Sequence, residues 1–192
     1  MSRSKNKYQF NRCSKKELVE LTVIHYGNNL YDKNRFLPIE NRNWVKPTGG
    51  LWTSPVNSKY GWKDWCHSEQ FRICKESKSF KLKFFDNAKI IIINSLKDLN
   101  VLPTIPQDSF FKDLKQQENI NYEELVNNGI DAIWLTNKGQ WDTRLTFPRN
   151  LYGWDCETVL IMNPNCCFEP VIRTVLIEKF KEEELVIFDN DL

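Results

Sequence analysis

Gly49-Gly50-Leu51-Trp52-Thr53-Ser54-Pro55 is the stretch on which the reading of this chain turns. Pro47, Thr48, Gly49 and Gly50 are turn formers, and they close a polar, aperiodic run over residues 31–46 that reads as a long functional loop. The short apolar and aromatic segment 51–53 then predicts a strand. Residues 58–73 carry Trp62, Trp65, Cys66, Glu69 and Ile73 at helical spacings. That spacing predicts an amphipathic helix with its aromatic side on the body and its first turn beside the Trp52 strand.

On the N-terminal side, Leu21-Thr22-Val23-Ile24-His25-Tyr26 is rich in β-branched and aromatic residues and stops at Gly27-Asn28-Asn29. It reads as a strand running into a turn, with His25 near its end. Ser14-Lys15-Lys16-Glu17 is a capping box that opens a short helix. Residues 1–13 read as a loose arm, and 14–192 as a single domain. On the C-terminal side, residues 80–85 alternate like a strand with one exposed face, and the continuous apolar run 88–93 suits a central strand. Short helices are predicted over 95–99, 107–115 and 122–128. Strands are predicted within 129–135, 156–162 and 171–176, followed by an acidic tail at Glu182, Glu183 and Glu184. The sum is an α+β chain.

The 192 residues suffice for one buried core. With 41% hydrophobic and 13% aromatic residues the composition is that of a folded domain. A formal charge of +2 gives no strong field toward nucleic acid or anionic membrane. The local basic run of Lys75, Lys78, Lys81 and Lys83 reads as a solvated face. No apolar stretch reaches membrane-spanning length and residues 1–12 lack a secretion-signal core, so a cytoplasmic protein is expected, as a monomer and without membrane partners. Six cysteines without a CxxC pair predict reduced, mostly buried thiols and no metal site. Low glycine with abundant Lys and Asn fits an AT-rich bacterial or phage genome. GxGxxG and GxxxxGK[ST] are both missing, which removes a Rossmann dinucleotide site and a P-loop.

Only two histidines are present, His25 and His67, so histidine chemistry has few candidates. Val23-Ile24-His25-Tyr26-Gly27 resembles the first conserved strand of the ADP-ribosyltransferase superfamily, in the branch shared by diphtheria-like toxins and poly-ADP-ribose polymerases. Gly50-Leu51-Trp52-Thr53-Ser54, followed by Ser58-Lys59-Tyr60, resembles that branch's second motif. Trp154-Asp155-Cys156-Glu157-Thr158-Val159-Leu160-Ile161 resembles the third, in which a glutamate opens a hydrophobic strand. The three segments occur in the family's order over about 140 residues.

The resemblance implies a split, twisted β-sandwich with peripheral helices, in which NAD is bound as substrate without metal. It implies that His25 anchors a ribose and that the backbone of Tyr26 and Gly27 holds the nicotinamide amide, although the family usually has glycine directly after the histidine. Trp52, with Tyr60 or Trp62, would stack on the nicotinamide beside Thr53 and Ser54. Glu157 would be catalytic, stabilising positive charge on the ribose as the glycosidic bond opens. Asp155, two residues earlier in an extended segment, would face the same cleft and orient the acceptor. The loop 151–154 leads directly to Glu157 and would receive that acceptor, and Trp134, Trp141, Asp142, Thr143 and Arg144 form a second polar-aromatic cluster. Arg144 and Arg149 are candidates for pyrophosphate or an anionic target.

The implied activity is ADP-ribose transfer from NAD to a protein or nucleic acid, as in a toxin or effector. An NAD glycohydrolase and a non-catalytic binding domain are the alternatives. The RNA 2′-phosphotransferases of the same fold do not rely on a carboxylate at the Glu157 position.

Overall fold

A computed structural model describes residues 8–42, 46–106 and 117–170. It is a mixed α+β fold built on a curled seven-stranded sheet with a few short helices. The helix predicted over 107–115, the strand over 171–176 and the acidic tail lie outside the described residues. Helix α1 (Lys15–Glu20) starts at the predicted capping box, with Ser14 and Glu17 each satisfying the other's backbone amide. Strand β1 (Thr22–Tyr26) follows, then the long loop, then β2 (Leu51–Pro55). Helix α2 (Trp62–Ser68), β3 (Ser79–Phe84), β4 (Ile90–Ile93) and α3 (Leu96–Asn100) come next. A two-stranded ribbon of β5 (Thr104–Pro106) and β6 (Glu118–Ile120) precedes α4 (Tyr122–Asn127), β7 (Ala132–Leu135) and α5 (Asn137–Thr143). Strands β8 (Thr158–Ile161) and β9 (Cys167–Phe168) complete the sheet.

The strand order is β4-β7-β8-β2-β1-β3-β9, with β4 and β7 parallel and the other neighbours antiparallel. Both faces of the sheet are covered. On one, Ile91, Ile93, Ile133, Leu135, Leu160 and Trp154 pack together; on the other, Val23, Leu82, Ile90, Val159 and Ile161 do so. Strand β4 is therefore an unbroken run of Ile because it is buried on both faces, yet it is an edge strand and not the central one expected. Its outer edge is closed by the chain at 11–13, where Cys13 N donates to Ile90 O at 3.0 Å and Ile92 N to Asn11 O at 2.8 Å. The described part of the expected loose arm is thus tied down, because an uncovered strand edge offers unpaired backbone groups.

Helix α2 is much shorter than the predicted 58–73. Gly61 adopts an extended conformation and donates its amide to the Asp64 carboxylate at 2.9 Å, which delays the start. Gln70, at φ 52°, follows the helix end. Its aromatic side is as expected, with Trp62 and Trp65 stacked at 4.9 Å and Phe71 set against both. Four of the six thiols are buried, and Cys13 and Cys74 are half-buried. Among the described residues no helix is long and apolar enough to cross a membrane.

Candidate functional site

The segments carrying His25, Trp52 and Glu157 occupy neighbouring strands: β1 beside β2, and β2 beside β8, which Glu157 immediately precedes. Backbone pairing between β1 and β2 covers only Val23 with Pro55 and Ile24 with Ser54. Beyond those pairs the His25 ring takes over, its Nδ1 lying 2.9 Å from the Trp52 carbonyl oxygen. A carbonyl only accepts, so Nδ1 carries the proton and, in the neutral ring, Nε2 keeps a free lone pair. Burial holds the pKa of His25 below the usual 6.5, against the upward pull of the Trp52 carbonyl and with a further downward push from the Arg72 guanidinium. Gly27, at φ 137°, follows two residues later, and a Cβ there would stand 3.4 Å from Nε2. The ring also stacks on Phe80 at 5.1 Å.

A cleft of about 240 Å³ opens at this gap between β1 and β2. His25, Trp52, Ser54, Trp62, Arg72 and Lys46 are the side chains in its lining that bear on chemistry. Trp52 meets the edge of the buried Trp154 at 4.9 Å and has Lys46 Nζ 5.5 Å from its ring centre. Arg72 sits 5.3 Å from the Trp62 ring centre and donates to the Tyr26 carbonyl at 3.2 Å. Rings and cations together suit a ligand with flat bases and an anionic linker. Ser54 is locked: it donates to the Glu157 carbonyl and accepts from the Trp62 amide, both at 2.9 Å. Thr53 donates to the Val159 carbonyl at 2.7 Å.

Several predicted roles are redistributed. Of the expected backbone clamp, the Tyr26 carbonyl accepts from Arg72 and the Gly27 amide is spent on the Lys78 carbonyl at 2.8 Å. Of the two candidate second aromatics, Trp62 lines the cleft. Tyr60 instead uses its carbonyl to receive the Glu157 amide at 3.0 Å.

Asp155 and Glu157 do not share a face. Asp155 has φ 59° and ψ −47°, and the Cys156 amide lies 2.6 Å from the Trp154 carbonyl, which describes a tight γ-turn of the strained positive-φ kind. The two-residue alternation fails there because the segment is not yet extended. The Asp155 carboxylate pairs with Lys46 at 2.7 Å, at the cleft wall. Past the turn, alternation returns: Thr158 lines the cleft, and Glu157 points to the opposite face with Val159 and Trp134.

The Glu157 carboxylate, nearly buried, accepts from Trp134 Nε1 at 3.0 Å and from Ser58 Oγ at 2.8 Å. It lines a separate pocket of about 260 Å³ with Ser58, Asn57 and Trp134. That pocket adjoins the cleft through a third hollow, to which Ser54 and Trp62 belong on one side and Ser58 and Pro55 on the other. His25 likewise belongs to a further hollow that contains Asn28, Asp32 and Arg35. The candidate residues thus border neighbouring hollows that share lining residues.

Lys46 and Arg72 were not singled out from sequence as cleft residues. Lys46 ends the aperiodic loop and Arg72 lies past the true end of α2, and only the fold brings them to the gap. Of the second cluster, Trp141, Asp142 and Thr143 belong to α5; the candidate Arg149 is spent on Glu118 at 2.7 Å and on the Asn100 carbonyl at 2.6 Å. Among the described residues no group of three or more His, Cys, Asp or Glu is arranged to hold a metal.

Fold and cleft together define an α+β protein whose sheet opens at one strand pair to form a ring-lined, cationic hollow. Comparison of the chain with protein-family models, with curated proteins and with solved structures gave no match.

Proposed function

We propose that this chain binds NAD and transfers its ADP-ribose to a macromolecular acceptor, releasing nicotinamide. The observation that carries this reading is the adjacency of β1, β2 and β8. Three segments spread over about 140 residues, each resembling one motif of a single family, come together around one gap bridged by His25 and Trp52. Neutral His25 offers Nε2 to a ribose hydroxyl. Trp52 and Trp62 offer ring surface to the bases, and Arg72 and Lys46 offer charge to the pyrophosphate.

In the reaction, an acceptor atom forms a bond to C1′ of the nicotinamide ribose as the C1′–N bond breaks. The electron pair leaves on the nicotinamide nitrogen, neutralising its positive charge, and the acceptor's proton passes to solvent. Positive charge accumulates on the ribose in between, and Glu157, held by Ser58 and Trp134, is the carboxylate assigned to stabilise it. Glu157 must then reach the ribose past the Ser54–Ser58 turn.

Incubation of the purified chain with NAD labelled in the adenylate and with a cell lysate tests this. Release of nicotinamide together with label on a macromolecule is the expected result. Free ADP-ribose as the sole product would shift the reading to an NAD glycohydrolase. A structure of the complex with the nicotinamide ribose beyond reach of Glu157 would remove that residue from catalysis.

A further inference from the structure

On the far side of Lys46 lies a second and larger concavity of about 660 Å³, lined by Arg144, Leu145, Thr146, Asn150 and Tyr152, with Lys46 forming part of its wall as well as the cleft's. Two large rings beside Arg144 are exposed: Tyr152, in the lining, is 54% accessible, and Trp141 68%. The Arg144 guanidinium lies 4.9 Å from the Tyr152 ring centre and 6.0 Å from that of Trp141. The neighbouring cations are all matched, Lys138 by Asp142 at 2.8 Å, Lys46 by Asp155 and Arg149 by Glu118. Arg144 has no carboxylate within ion-pair distance among the described residues.

A ring, a guanidinium plane and a second ring in sequence, with an unmatched positive charge, call for a partner that repeats a flat face and an anion. Nucleotides supply both from one unit: the base stacks on the ring and the phosphate meets the guanidinium. A duplex keeps its base faces stacked inside, so only an unpaired strand offers them freely. In the lining, the Asn150 side-chain oxygen accepts from the Tyr152 amide, which leaves its amide group to donate to a base edge.

We propose that Trp141, Arg144 and Tyr152 form a docking surface for single-stranded nucleic acid. On the NAD-dependent reading above, the docked strand is also the acceptor. A base nitrogen then bonds to C1′ as nicotinamide leaves with the electron pair, and the proton from the base passes to water. The docking stands without that reading, because none of Trp141, Arg144 and Tyr152 lines the cleft.

Fluorescence anisotropy of labelled 20-nucleotide single strands, DNA and RNA, against the matching duplexes and without NAD, tests the surface. Single strands should bind at least about tenfold more tightly than duplex, with affinity falling as salt rises. Arg144→Gln and Tyr152→Ala should each weaken binding roughly tenfold while leaving the melting temperature unchanged. Equal binding of duplex, unchanged binding by both variants, equal competition by poly-glutamate or no binding of either strand would overturn the surface. Labelled NAD added to the bound complex separates the two claims. Label on the strand supports the acceptor role, label on protein alone removes that role, and intact strand binding without any NAD turnover counts against the transferase reading only.

Discussion

The Ser58 hydroxyl donates to Oε2 of Glu157 across 2.8 Å, joining the turn after β2 to a residue 99 positions later that leads into β8. With Trp134 Nε1 on the other oxygen at 3.0 Å, each carboxylate oxygen has one fixed donor. A carboxylate fixed in this way is oriented before any substrate arrives, which is what stabilising a developing charge requires. Ser58→Ala frees one oxygen without changing the charge. Nicotinamide release should fall on the order of tenfold with KM little altered, as expected of a positioning residue, and Ser58→Thr should restore it. Steady-state kinetics of the two variants decide the point, and equal rates in Ser58→Ala and wild type would show that the clamp does not matter.

His25 makes stability depend on pH in a defined direction. Because burial keeps its folded pKa below 6.5, the unfolded chain takes up a proton first as the pH drops. Stability should therefore fall as pH goes from about 6.5 down to the folded pKa and be insensitive to this group above 6.5. NAD affinity should follow the same sense, since protonation removes the Nε2 lone pair. His25→Ala should weaken NAD binding by about 1–3 kcal/mol and flatten this part of the pH profile. Urea unfolding and calorimetry between pH 5 and pH 8 measure both; a profile unchanged by the substitution would detach His25 from the effect.

The parallel pair β4–β7 depends on a close approach by α5. A Cβ at Gly139 would overlap the Ile93 carbonyl oxygen, a backbone atom with no room to yield. Gly139→Ala should destabilise the fold by about 1–3 kcal/mol, although alanine favours helices intrinsically. A melting temperature at or above that of wild type would mean that α5 sits farther from β4.

How much of this was legible in the sequence depended on whether local pattern or global placement decided the feature. The capping box at Ser14, the alternation of Phe80, Leu82 and Phe84, and the strand at Val23 to Tyr26 are local, and they were read correctly. The Ile90 to Ile93 run reports burial of both faces but not position in the sheet, so an edge strand covered by residues 11–13 looked central. Helical spacing carried the α2 prediction across Gly61, where backbone freedom and the Asp64 acceptor hold the chain extended. At the site, the strands that carry His25 and Trp52 and the strand that follows Glu157 were readable from their apolar and β-branched residues. The γ-turn at Asp155, which sets Glu157 on the face opposite Thr158, arises from tertiary packing around Trp154 and Lys46 and leaves no trace in residue spacing.

That turn makes its own prediction. A non-glycine residue at φ 59° and ψ −47° carries roughly 1–3 kcal/mol of backbone strain, while the partly exposed pair with Lys46 returns about 0–1 kcal/mol. Asp155→Gly relieves the strain and should be at least about 1 kcal/mol more stable than Asp155→Ala, which keeps the Cβ and loses the pair. Both should spare NAD hydrolysis and impair transfer to an acceptor if the carboxylate orients the nucleophile through Lys46. Loss of hydrolysis and transfer in equal measure would reduce Asp155 to a structural support.

Glu157 carries the sharpest test because its assigned interaction exists only as the glycosidic bond opens. Ground-state NAD has little positive charge on the ribose for a carboxylate to meet, so exchanging Oε for an amide changes binding little and the barrier much. Glu157→Gln preserves size and can still accept from Ser58 or Trp134, which limits the effect on folding to the loss of one charge-assisted bond. NAD affinity by calorimetry should remain within about threefold of wild type, while nicotinamide release falls by ~10² or more. The pair of measurements separates three outcomes. Intact binding with lost turnover places Glu157 at the reacting sugar. Lost binding with a lowered melting temperature makes it a structural tie between β2 and β8. Wild-type turnover would move the chemistry away from Glu157 to the side chains that line the cleft itself, among them Thr158, Ser54 and His25.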